Sequence, residues 1–119
     1  MSTEYIVLLP GDESVWERAS ESERLATYAR HEEFAKLVTE RGMRITGGAE
    51  LAHSREAKVV RGPLDEVTVT DGPYAESVEQ LSGFYLVETD DLDALLAVCG
   101  LLAADEAIEV RATVPSPEA

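Results

Sequence analysis

Tyr5 to Leu9 is an unbroken apolar run, the pattern of a central strand or of one covered on both faces. Pro10-Gly11-Asp12 is a stop signal after it, and a short helical segment around Val15 to Arg18 follows, with Trp16 as its apolar anchor. Ser20 and Glu23 have the spacing of a capping box, in which the hydroxyl and the carboxylate each bond the other's backbone N–H. The helix opened there runs to about Arg41 and closes at Gly42. At about 100° per residue, Thr27, His31, Phe34, Ala35 and Val38 share one face, and Glu32, Glu33, Lys36 and Glu40 the other.

Met43 to Leu51 reads as a strand interrupted by Gly47-Gly48, a pair that signals a bulge or close approach by another group. Lys58–Arg61 and Val67–Thr70 flank the turn Gly62-Pro63-Leu64-Asp65 and predict a hairpin. After Asp71-Gly72-Pro73 the next β-type run is Gly83 to Glu88. Thr89-Asp90-Asp91 supplies acidic caps to a helix whose stripe is Leu92, Leu95, Leu96, Cys99 and Leu102. No charge falls between Ala94 and Ala104, which predicts a helix buried on several sides or set against another subunit. Ile108 to Val114 alternates apolar and polar positions as a last strand.

This order predicts an α+β fold, a ferredoxin-like βαββαβ layout with an inserted β-hairpin, forming one domain over residues 1–114. The tail, 115–119, reads as disordered. Two helices on one face of one antiparallel sheet leave the other face bare, so that face needs cover or an unusually polar surface. A homodimer is the expected answer.

Charge narrows the choice of partners. Ten basic residues against 24 acidic give a formal net charge of −14, which repels nucleic-acid backbones and anionic lipid. No apolar run approaches the roughly 20 residues a membrane span needs, and MSTEYIVLL lacks the basic start of a secretory leader. Cys99 is the one cysteine, so no internal disulfide forms. A cytoplasmic protein that binds neither nucleic acid nor membrane is expected.

His31, on the apolar stripe, has a side chain able to give or take a proton near neutral pH. It reads either as a core histidine with one hydrogen bond or as an acid–base group. His53 lies in a polar loop and reads as surface, and the two histidines have no metal-ligand spacing. The chain carries no Gly-rich phosphate loop and no nucleophile elbow, so no cofactor or metal is expected.

The stretch from Val67 to Val87 holds TDGPYAE followed by EQL, a small residue, Gly83 and an aromatic pair. It resembles the signature of the DGPF proteins, a branch of the YCII-related family. YIVLLPGDESVW, RHEEF followed by Gly42, and IEVRATV resemble that family's first strand, its histidine-bearing helix and its last strand. The resemblance implies a dimeric α/β barrel, with two sheets packed face to face. It further implies that His31 and Asp71 form an acid–base pair, the aspartate orienting the imidazole and raising its pKa. Phe34, Tyr74, Gly47 and Gly48 would then line the pocket, with Tyr74 where the signature usually has Phe. An unknown small organic molecule is the expected ligand. The implied roles are a cofactor-independent lyase or hydrolase-type enzyme, or a binding module with a sigma-factor-associated regulatory role.

Overall fold

The computed structural model describes residues 2–104 and 106–117; residues 118 and 119 of the expected tail lie outside them. Strand β1 (Thr3–Asp12) leads into helix α1 (Glu13–Arg18), capped by Asp12, whose Oδ1 accepts from the Ser14 N–H at 2.9 Å. Helix α2 (Glu21–Glu40) opens on the capping box predicted at Ser20 and Glu23, with bonds of 3.1 and 2.9 Å. Then come β2 (Arg44–Glu50), the hairpin β3 (Lys58–Arg61) and β4 (Thr68–Asp71), the long β5 (Glu79–Thr89), α3 (Leu92–Val98) and β6 (Glu109–Ala112).

The main sheet is antiparallel with strand order β2-β5-β1-β6. With the helices on one face, this α+β layout is consistent with a ferredoxin-like fold. Strands β3 and β4 form a separate two-stranded sheet. Among the described residues, no helix is long and apolar enough to cross a membrane.

The two central strands are longer than the apolar runs imply. Pro10 does not end β1: the register shifts between Leu9 and Pro10, and pairing resumes from Pro10 to Asp12 against Leu81 to Glu79. A bulge at the proline is the expected solution, since Pro has no N–H to give the ladder. That pairing also carries β5 back to Glu79, ahead of the predicted start at Gly83.

Val7 and Val87 of the sheet, Phe34 and Val38 of α2, and Leu95 and Val98 of α3 form the buried core, with Met43 and Cys99 beside them. Burial pushes the Cys99 thiol up to about 11, so it packs as a small apolar group. The apolar segment after Asp91 is helical only to Val98 and then tightens into a 3₁₀ turn over Cys99–Leu101. Its burial is one-sided within the chain: Leu95 is covered, but Leu96 is 47% exposed.

The opposite sheet face is bare. Ile6 stands across from Leu86 and Leu8 from Phe84, a half-exposed apolar centre bordered by Glu4, Glu88 and Arg44 and, on β6, by Arg111 and Glu109. The chain is correspondingly flat, with extents of 48 × 46 × 17 Å. Its radius of gyration is 16.6 Å, against about 13.5 Å for a compact domain of this length.

The glycine pair in β2 does what its position predicts. The β2–β5 register shifts between Ile45 and Gly47, and Gly48 takes a φ of +149°. A Cβ at Gly48 would meet the Phe84 carbonyl oxygen at 2.6 Å and the Tyr85 ring at 3.2 Å. Gly48→Ala is expected to cost about 2 kcal/mol or more of stability, read as a lower denaturant midpoint at unchanged slope.

Candidate functional site

A cavity of about 1010 Å³ opens between α1, the N-terminal half of α2 and the end of the sheet. Its floor includes Gly48, Glu50 and Tyr85; Trp16, Tyr28 and His31 stand along its helical wall. Tyr28 and His31 are three residues apart on α2, one turn along the same side of the helix. Tyr85 pairs with Gly48 across the ladder, so the close strand approach at the glycine sets the tyrosine beneath the helix.

Two contacts tie helix to sheet inside the cavity. The first joins His31 Nδ1 to the Tyr85 hydroxyl at 2.7 Å. The second runs from the Tyr28 hydroxyl to both Glu50 carboxylate oxygens, at 3.1 and 3.2 Å. The His31 contact serves either tautomer. When Tyr85 donates to Nδ1, Nε2 carries the proton and can give it; when Nδ1–H donates to Tyr85, Nε2 has a free lone pair and can accept one.

The environment favours the neutral imidazole. Burial lowers the pKa of His31, and the positive charge of Arg30 lowers it further; Glu50 opposes both. Burial also raises the Tyr85 phenol, so that partner stays neutral. An aspartate partner would raise the imidazole, as expected above. The phenol in its place has no charge with which to do so.

Asp71 is elsewhere. It ends β4 on the hairpin, is solvent-exposed, and binds Lys58 Nζ at 2.6 Å across the two-stranded ladder. That bond and the lysine charge hold its carboxyl below the usual aspartate value. Among the described residues no hydrogen bond joins it to His31, so the expected contact is replaced by one separate partner for each. The corner after it is tightly fitted: the Gly72 N–H bonds the Ala57 carbonyl at 2.8 Å, and a Cβ at Gly72 would meet that of Ala57 at 2.9 Å.

The other expected pocket residues divide. Gly48 lines the cavity beside Tyr85. Gly47 instead faces the bare side of the sheet, against Leu86. Phe34 is fully buried in the core and lies under Tyr85, ring centroids 4.9 Å apart, so it supports the site from behind. Tyr74 is 84% exposed and borders a smaller hollow of about 360 Å³ with Pro73. That hollow and the large cavity share Leu51, Ala52 and His53 as a common rim.

The residues that make the two helix-to-sheet contacts with or beside His31, namely Tyr28, Glu50 and Tyr85, were not singled out in the sequence. The spacing of Tyr28 to His31 was readable; the strand register that brings Glu50 and Tyr85 beneath them was not. His53, read as surface, bridges the loop before β3 to α1, with Nε2 at 3.2 Å from Glu17 and Nδ1 at 3.7 Å from Glu13. Among the described residues no group of three or more His, Cys, Asp or Glu is arranged to hold a metal.

The family described as YCII-related domain matches residues 4–103. An uncharacterised protein of Rhizobium meliloti (strain 1021) is 35% identical over 92 residues, covering 77% of this chain and 73% of that protein.

The His31 environment makes a signed prediction. With the folded pKa depressed, its contribution to stability is complete above the ordinary histidine value near 6.5 and is lost as pH falls below it. Proton NMR should show the His31 ring titrating below that value. A midpoint above it would mean that the negative charge of Glu50 outweighs burial and Arg30 together.

Proposed function

The chain belongs to the YCII-related family, and from that premise we propose that it binds a small organic molecule in the large cavity and moves a proton on it with His31. The observation that carries this reading is the joint placement of a half-buried, neutral imidazole, its phenol partner and an open volume of about 1010 Å³. His31 lines this cavity while its Nδ1 is held by the Tyr85 hydroxyl. Tyr85 holds Nδ1, and Nε2 exchanges the proton with the ligand. This chemistry fits a cofactor-independent lyase or hydrolase-type step. The same cavity without turnover describes a binding module, with a sigma-factor-associated regulatory role as its setting.

The Asp71-Gly72-Pro73 corner supports assignment to the DGPF branch. It also motivates a second reading, in which Asp71 joins His31 as an acid–base pair. The rim shared by the two hollows favours this, since it sets the hairpin corner beside the cavity. The joining step is a movement of the hairpin that releases Asp71 from Lys58. Variants separate the readings. His31→Gln is expected to abolish ligand-induced NMR shifts or turnover in a screen of small organic molecules, with a melting temperature near that of wild type. Asp71→Asn leaves both intact if Tyr85 is the partner and removes turnover if Asp71 is. Loss of melting temperature alone in His31→Gln would return the residue to a core role.

We further propose a homodimer of the α/β-barrel type, with the bare sheet face as its interface. Ile6, Leu8, Phe84 and Leu86 supply the apolar centre, and exposed Leu96 and Val69 add apolar surface elsewhere on the chain. An interface of this kind buries more than ~1,000 Å² in total. Sedimentation should give a dimer at micromolar concentration and a folded monomer for Leu8→Glu. A wild-type monomer would refute the assembly.

A further inference from the structure

We propose that the cavity selects a small organic molecule carrying a protonated amine, seated on the carboxylate of Glu50. This rests on the reading above that the cavity binds a small organic molecule, and it adds the charge of that molecule.

The charged groups around the cavity are unequal in number and in engagement. Its lining holds six carboxylates, from Asp12, Glu13, Glu17, Glu23, Glu50 and Glu106, against the three guanidinium groups of Arg24, Arg30 and Arg55. All three cations are already engaged. Arg24 donates to the Trp16 carbonyl at 2.9 and 3.2 Å and to that of Glu17 at 3.2 Å, with its guanidinium 5.2 Å from the Trp16 ring centre. Arg55 is held by Glu17 at 2.8 Å, and Arg30 donates to the Thr27 hydroxyl at 3.3 Å. An anionic ligand would have to displace one of these bonds and enter against an excess of negative charge.

The carboxylates differ in the opposite sense. Asp12 caps α1, Glu23 closes the capping box of α2, and Glu106 accepts from the Asp12 N–H at 3.3 Å. Glu13 is bound by the Ser54 N–H and hydroxyl, at 2.6 and 2.5 Å, and Glu17 by Arg55 and His53. Glu50 has only the neutral Tyr28 hydroxyl, and no cation pairs with it among the described residues. One phenol leaves most of the acceptor capacity of a carboxylate open. Tyr28 and Tyr85 line the same cavity, and aromatic faces attract organic ammonium groups as well as hydrocarbon. Glu50 and His31 line the same cavity, so an amine held on the carboxylate shares that volume with the imidazole.

The test uses three probes of one shape: 2-phenylethylamine, 2-phenylethanol and 3-phenylpropionate. Each is titrated into the full-length protein at neutral pH and followed by amide chemical shifts. The amine is expected to bind best and to shift the resonances of Glu50, Tyr85 and His31. Glu50→Gln should lower its affinity about fivefold or more while leaving 2-phenylethanol unchanged. Glu50→Lys should reverse the order in favour of 3-phenylpropionate, a gain that a damaged fold cannot imitate. Binding of the alcohol or the carboxylate at least as well as the amine overturns the charge selectivity and leaves the cavity's role intact. Failure of all three probes to bind overturns the ligand-binding reading and this inference with it.

Discussion

The structure depends on one packed seam, where Phe34 and Val38 of α2 meet Val7 and Val87 of the central strands with no exposure to solvent. Burying four such side chains is worth roughly 1.5–3 kcal/mol each, comparable to the net stability of a small domain. The seam also orients the site. Tyr85 is two residues from Val87 on the same face of β5, and His31 is three from Phe34 on the same side of α2. Once the seam is packed, the hydroxyl and the imidazole meet at its open end. The stacking of Phe34 on Tyr85 makes core and site one continuous piece.

The partner of His31 determines what the imidazole can do. A carboxylate would hold it as the cation and make it an acid near neutral pH. The Tyr85 phenol, itself kept neutral by burial, fixes the ring without adding charge and leaves it available as a base. Negative charge enters from Glu50, whose effect on His31 is smaller than those of burial and Arg30. Tyr85 thus fixes the imidazole, while Glu50 opposes the effect of burial and of Arg30 on its charge. Gly48 underlies both, because the space a Cβ would take is filled by the Phe84 carbonyl and the Tyr85 ring.

The one-sided cover of the sheet is the other organising fact. Helices α2 and α3 pack on one face, and the side chains of Ile6, Leu8, Phe84 and Leu86 stand on the other with none of them fully buried. The exposed valines of the hairpin, Val60 and Val69, repeat the pattern away from the main sheet. A chain with a net charge of −14 has ample means to solvate a surface, yet on this face Glu4, Arg44, Glu88, Glu109 and Arg111 stand around the apolar centre rather than in it. That distribution is what a second copy would require of an interface.

By itself the sequence determined the elements that rest on local chemistry. The capping box at Ser20, the face shared by His31, Phe34 and Val38, the Asp91 cap and the hairpin between Lys58 and Asp71 all follow from residues within a few positions of each other. The constraint on Gly47-Gly48 was legible too, because glycine in a strand has few other causes. Tertiary structure alone decided the rest, and the reason is register. Only the pairing of β1 with β5 carries both strands past Pro10, and only the pairing of β2 with β5 sets Gly48 opposite Tyr85. His31 therefore meets a tyrosine 54 residues away. Asp71, for which the signature had suggested that place, is paired with Lys58 directly across its own hairpin.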